Sequence, residues 1–261
     1  MPGGYFDDGQ MQVELGAHAF ATPSAGRSNL LLAPHGVPAA AIEDGGGVLR
    51  LAVTGQALRE NLGDAERYVV ELFRALATSG PGTLGVEDYL ARRATFGRSV
   101  CAGAVGEVKA FRFVEMKLDF QCPEGAAAPA WGAIPAAPAA YAGAGTAQDY
   151  AAGGVALGVG GAMRIELVRR FPVRPLPRSR GARSCGPQSG AHLRFIVTAH
   201  LVAAHDGLAA ELQDLERRIG PGLVDLTANG NAYADVLLDG LRTKHGDRSH
   251  TSFEAEFIQG I

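Results

Sequence analysis

Cysteine is scarce in this chain. Cys101, Cys122 and Cys185 are the only three among 261 residues, far apart and without Cys-x-x-Cys spacing, so neither a zinc ribbon nor a redox pair is encoded and isolated reduced thiols are expected. An excess of either charge is lacking too: a formal net charge of −3 argues against a general nucleic-acid binder, which needs a dense basic face to neutralise phosphates. Long apolar runs are missing. The longest weakly polar tract, 125–161, is too rich in Gly, Pro and Ala for a spanning helix, and Met1 to Asp8 has neither the basic head nor the apolar core of a secretory signal. These absences point to a chain made and folded in a cytoplasm, with no membrane partner.

Catalytic signatures are absent as well. There is no Gly-x-Gly-x-x-Gly opening a helix after a strand, no Gly-x-x-x-x-Gly-Lys-Ser/Thr, no His-Glu-x-x-His and no Gly-x-Ser-x-Gly, which removes the commonest nucleotide, zinc-protease and serine-hydrolase chemistries. The best metal candidates are His200, His205, His245 and His250, with Asp206, Asp239 and Asp247 nearby. Their spacing matches no ligand geometry, and the first half of the chain has no histidines at matching places. Lys109, Glu115 and Lys117 alternate in charge, which the wet face of a strand explains without catalysis. No metal, no cofactor and no catalytic residue is expected.

What the chain does contain is a repeat. Leu49 to Thr54, a helix-patterned run from Asp64 to Ala77 and Gly80-Pro81-Gly82-Thr83-Leu84 are answered by Leu193 to Thr198, a helical run from Gly207 to Ile219 and Gly220-Pro221-Gly222-Leu223-Val224. Met11 to Leu15 is matched to Met163 to Leu167, and Val114 to Phe120 to Ser252 to Phe257. Ordered self-similarity of this kind marks a tandem duplication. Hydrophobic residues make up 47% and charged residues 20% of the chain, enough apolar material for each copy to bury its own core. The expected organisation is a first unit over 1–122, an Ala/Gly/Pro-rich linker or arm over 123–160 and a second unit over 161–261.

Within each unit, alternation at Leu49, Leu51 and Val53 gives a strand buried on one face. Tyr68, Val69, Leu72, Phe73 and Leu76 fall at three- and four-residue steps and make one helix face, with Asp64 as N-cap and Gly80-Pro81-Gly82 as the stop. Two strands are expected to meet near Gly106, with a bulge near Glu115 where apolar parity changes. Asn229-Gly230 signals a hairpin. The predicted fold class is α+β, mainly β: two tandem antiparallel barrel or sandwich modules, each with one packed helix.

Two stretches keep alternatives open. The linker carries Trp131, Tyr141 and Tyr150 and is either a solvated tether or an arm whose aromatics anchor on a neighbouring subunit. The segment from Arg169 to Arg183 is arginine-rich and broken by prolines. It is a solvated loop, a subunit contact through Arg174, Arg178 and Arg180, or a phosphate binder.

A strand, an amphipathic helix, a Gly-Pro-Gly break and returning strands, together with the closing Leu118-Asp119-Phe120-Gln121-Cys122-Pro123, resemble the tail-tube module of long-tailed bacteriophages, as found in tube, distal tail and baseplate hub proteins. The resemblance implies a non-enzymatic virion protein located in the tail and made in a host cytoplasm. It implies a homo-oligomer, either a hexamer or a trimer of two-module chains giving a pseudo-sixfold ring, in contact with other tail proteins. DNA would pass through its lumen without specific binding. The alternative reading is a small-molecule enzyme or binding protein with its site between two duplicated halves; a cytoplasmic scaffold is a third.

Overall fold

The first seven elements follow from the alternation of apolar and polar side chains along the early sequence. They are β1 (Gly3–Asp7), β2 (Gln12–Gly26), β3 (Val48–Leu58), α1 (Leu62–Thr78), β4 (Gly82–Glu87), β5 (Arg93–Lys109) and β6 (Phe113–Pro123). In this computed structural model the described residues are 3–26, 48–87, 90–109, 112–123, 126–143, 149–169, 174–177, 183–186, 190–201, 207–246 and 251–261. The strands are antiparallel in the order β4-β1-β2-β3-β6-β5, and β4 also pairs with β5, so the ladder of six strands returns on itself. Leu51 and Val53 of β3 and Val114, Met116, Leu118, Phe120 and Cys122 of β6 point into the core, while Arg50, Ala52, Lys117 and Asp119 point outward.

The second half repeats this plan. β7 (Tyr150–Ala152), β8 (Val155–Ala156) and β9 (Val159–Arg169) are followed by a small hairpin of β10 (Arg174–Pro177) and β11 (Arg183–Gly186). Then come β12 (Ala191–Leu201), α2 (Leu208–Ile219), β13 (Leu223–Ala228), β14 (Asn231–Gly246) and β15 (Thr251–Gly260). The order β9-β12-β15-β14-β13-β7-β8 mirrors β2-β3-β6-β5-β4-β1, because β7 takes the place of β1 while β8 and β9 together take the place of β2. The fold is therefore α+β and mainly β.

Backbone detail confirms the equivalence. β5 carries an extra residue between Cys101 and Gly103 opposite β6, and β14 carries one between Leu238 and Gly240 opposite β15. Arg98 (φ 55°) and Asp235 (φ 56°) are left-handed at matched positions just before those bulges, a conformation uncommon for residues other than glycine. Gly16 (φ +90°) bends β2, and Gly158 (φ +118°) separates β8 from β9. A Cβ on either would lie 2.6 Å from the Gln56 carbonyl oxygen or 2.7 Å from that of His200, residues that are themselves counterparts. Each glycine lets one strand serve two neighbours that diverge.

Several expectations are corrected. The ladders set Met163 opposite Val197 and Ala21 opposite Val53, so Ala21, rather than Met11, is the counterpart of Met163; Leu15 matches Leu157. β7 and β8 fall inside the stretch expected to be linker, and the second sheet begins at Tyr150. Gly106 lies within β5, and β6 alternates without a bulge at Glu115, the extra residue being in β5. Asn61 is the N-cap of α1, its Oδ1 accepting from the Asp64 amide at 2.9 Å. α1 ends on extended Ser79, whose hydroxyl donates to the Leu76 carbonyl at 2.8 Å, whereas α2 ends on left-handed Gly220. One tripeptide thus serves two different helix ends.

The modules are joined edge to edge. Residues Ala104–Glu107 of β5 pair with Arg164–Leu167 of β9, fusing both ladders into one sheet of thirteen strands. α1 lies across the seam against β5, β6, β9 and β12. Gly106 permits the close approach, since a Cβ there would meet Val69 Cγ1 at 2.5 Å. Because α1 touches both modules, it buries twelve of its seventeen residues, including Val69, Leu72, Phe73 and Leu76.

Candidate assembly surface

The outward face of the joined sheet is polar because every strand exposes its alternate residues there. In the second module charges interleave across four neighbouring strands. Arg164 Nε lies 3.1 Å and Arg194 Nη1 3.7 Å from Glu166, while Arg194 Nε lies 3.9 Å and Arg242 Nη1 3.5 Å from Glu256. In the first module Lys109 Nζ sits 2.6 Å from Glu115 and 3.8 Å from Glu107. The Lys109 hydrogen bond holds the Glu115 carboxyl below its usual range and raises the lysine. A shallow depression of about 270 Å³ on this face is lined by Arg50, Ala52, Ala102, Asp119 and Gln121, with Leu51 and Phe120 at its floor. Opposite charges alternate, so the face carries no single-sign field of the kind that grips a polyanion.

Behind the seam lies a polar cluster the sequence did not announce. Glu66 of α1 is buried, its Oε1 accepting from the Tyr150 hydroxyl at 2.7 Å and its Oε2 from Asn229 Nδ2 at 2.8 Å. Burial pushes its carboxyl up to about 7, against the two hydrogen bonds, which pull it down. Asn231 Nδ2 donates to the Gly63 carbonyl at 2.8 Å. The hairpin signal Asn229-Gly230 therefore both turns the chain and locks the second module onto the N-terminus of α1, with φ of 48° and 85° at its two residues. Arg169 closes the opposite end, donating from Nε to the Cys101 carbonyl at 2.6 Å and from Nη2 to the Leu76 carbonyl at 3.0 Å.

The aromatics expected as possible subunit anchors are engaged within their own chain. Trp131 makes an edge contact with Tyr5, ring centroids 5.3 Å apart, and lies under the Arg93 guanidinium. Tyr141 packs under Arg67, and its amide donates to Asp64 Oδ1 at 3.0 Å. Arg59, paired with Asp64 at 2.9 Å in a buried site, also donates to the carbonyls of Pro138 and Ala139. Residues 126–143 are thus a strap on the first module, not a free tether. Tyr150 is 4% exposed within its own chain, its hydroxyl donating to Glu66. Arg174 lies on β10, while Arg178 and Arg180 lie outside the described residues.

Of the histidine candidates, His200 is exposed on β12 and His245 lies on β14, while His205 and His250 fall outside the described residues. Among the described residues no three His, Cys, Asp or Glu side chains converge as a metal site, and no helix is long and apolar enough to cross a membrane. Burial raises the Cys101 thiol to about 12, which keeps it a protonated core side chain.

Among the described residues, parts of β14 and of β2 have a strand on one side only. β14 is the counterpart of β5, but beyond Leu237 its outer edge has no strand beside it among the described residues. β2 is the counterpart of β9, and beyond Ala17 it pairs with β3 alone among the described residues. No protein-family model matches the chain, and no curated protein matches it in sequence.

Proposed function

We propose that this chain is a non-enzymatic structural protein of a bacteriophage tail, three copies of which form a pseudo-sixfold ring or tube segment. The observation that carries the reading is the seam. Two equivalent modules already join through the β5 and β9 edges, and among the described residues the matching stretches of β14 and β2 have no strand on that side. An open edge is an aggregation hazard unless a partner uses it, and a rotation that closes turns it into an assembly surface of limited growth. The balanced polar face would line the lumen and let DNA slide without specific contacts. Neighbouring tail proteins would stack on the ring rims. The space between the two halves, where the alternative reading places a ligand, is filled by α1, Glu66, Tyr150 and Asn229.

Negative-stain microscopy of the purified chain tests the proposal. Rings or short tubes with three- or sixfold symmetry are expected at high concentration. Uniform single-chain particles at every concentration, with a melting temperature raised by a small metabolite, would overturn it.

A further inference from the structure

Val100 and Leu237 occupy matched positions on the outward face, two residues after the left-handed Arg98 and Asp235. Their surroundings differ. Val100 opposes Gln121 on the polar side of the sheet yet is 0% exposed, and β11 lies against the two strands that carry this pair, β5 and β6. The β10–β11 hairpin is inserted between β9 and β12 of the second module, so at the internal seam the second module pairs with the β5 edge and also brings β11 against β5 and β6 of the first module. Leu237 has no such cover: it is 42% exposed, and its ladder partner Leu223 is 64% exposed. The first module carries an insertion at the matching place, residues 27–47 between β2 and β3, which includes Leu30-Leu31-Leu32. Within the chain that insertion begins at the far end of the sheet from Leu237.

We infer that the Leu223–Leu237 patch and the β14 edge are the docking surface for a second copy of this chain, which adds its β2 as a strand beside them. This rests on the ring reading and supplies its register. Applying the internal seam's pairing to its counterparts sets Leu241, Arg242, Thr243 and His245 of one copy opposite Ala25, Ser24, Pro23 and Thr22 of the next. Arg27 stands in sequence where the seam-closing Arg169 stands in the second module.

The outer seam is a weaker version of the inner one. Pro23 has no amide to give to a ladder. Thr243 stands where Gly106 admits α1. α2 buries Leu215 and Ile219 but leaves Glu211, Asp214 and Arg218 exposed, so it lacks the broad buried face with which α1 covers the inner seam. Assembly is therefore reversible and sensitive to concentration, whereas the two modules of one chain part only on unfolding.

Two variants test the surface and the register separately. Leu223→Glu with Leu237→Glu removes apolar contact from side chains already wet in the free chain. The expected result is an unchanged melting temperature for the monomer and at least a tenfold higher concentration for half-assembly, read by sedimentation; unaltered assembly overturns the docking surface. Separately, a Cys185→Ser chain carrying Ser24→Cys and Arg242→Cys should form disulfides between chains on oxidation and give a closed three-chain species. The same chain with Thr22→Cys in place of Ser24→Cys should not. Three-chain particles lacking the first cross-link, or favouring the second, overturn the register while leaving the ring reading intact. A chain that stays single at every concentration removes both.

Discussion

At the scale of single residues the junction between modules is governed by one carboxyl group. Glu66 is neutral at low pH in both folded and unfolded chains; above its unfolded value near 4.5 the unfolded chain ionises first, while the folded one holds its proton to about 7. Stability present below pH 4.5 is thus lost progressively as pH rises through 7, by on the order of 3 kcal/mol at one unit of pKa per 1.4 kcal/mol. Glu66→Gln keeps an amide for Tyr150 and Asn229 to bond and cannot ionise. We expect it to melt higher than the parent at pH 8 and alike at pH 4, read by thermal denaturation across that range. Parallel pH profiles for the two chains would contradict this account.

The Arg59–Asp64 pair sits in a different balance. Burial alone would raise the Asp64 carboxyl, but the hydrogen bonds from Arg59, Tyr141 and Glu60 hold it below its usual range. Its charge is thus retained and matched. Asp64→Ala leaves Arg59 buried without its counter-ion and should cost about 3–5 kcal/mol. It also releases the Tyr141 amide, so limited proteolysis should cut within 126–143 earlier than in the parent. Equal cutting rates would show that the strap is held by Trp131 and Tyr5 instead.

At the scale of elements, the matched glycines give a paired prediction. Gly16→Ala and Gly158→Ala each place a Cβ against a carbonyl oxygen in a left-handed conformation, so each should cost about 2 kcal/mol or more through strain and displacement of the neighbouring strand. Chemical denaturation of the two variants should give penalties of similar size. A large effect at one and none at the other would mean that the two bends are not equivalent.

The elements also show what the sequence discloses. The helix face Tyr68, Val69, Leu72, Phe73, Leu76 and the strands Leu49 to Thr54 and Leu193 to Thr198 were readable because periodicity reports burial directly. Matching the first strands by their methionines failed because β8 and β9 interrupt what is continuous in β2, and short alternating runs fit several registers equally well. Glu66 was hidden for another reason. It stands beside the helix's apolar stripe, and only the fold brings Asn229, 163 positions away, to its carboxylate. Trp131 and Tyr141 looked like anchors for a neighbour because their composition-poor surroundings gave no sign of Arg93, Tyr5 or Arg67 waiting on the same chain.

For the whole molecule, the arginine-rich segment between β9 and β12 bears on assembly. Its strand β11 already lies against β5 and β6, strands of the other module. Replacing Arg174, Arg178 and Arg180 together with Ala should leave the melting temperature of isolated chains within a degree or two of the parent and reduce ring formation, measured by sedimentation and microscopy. Equal ring yield would free those arginines from any part in assembly. The second module's charge ladder, from Arg164 to Arg242, belongs to this scale as well, since it stiffens the sheet at the end where a further copy would dock.

Arg98 and Asp235 differ in size, shape and sign of charge, yet both hold the same strained torsion three residues ahead of the same kink. After a gene doubles, side chains drift toward whatever each copy now touches, while the peptide path that aims the strands has no such freedom. Kinship between the halves therefore outlives any resemblance of their letters, and remote cousins of this chain are best sought by the shape of the main chain at those two corners.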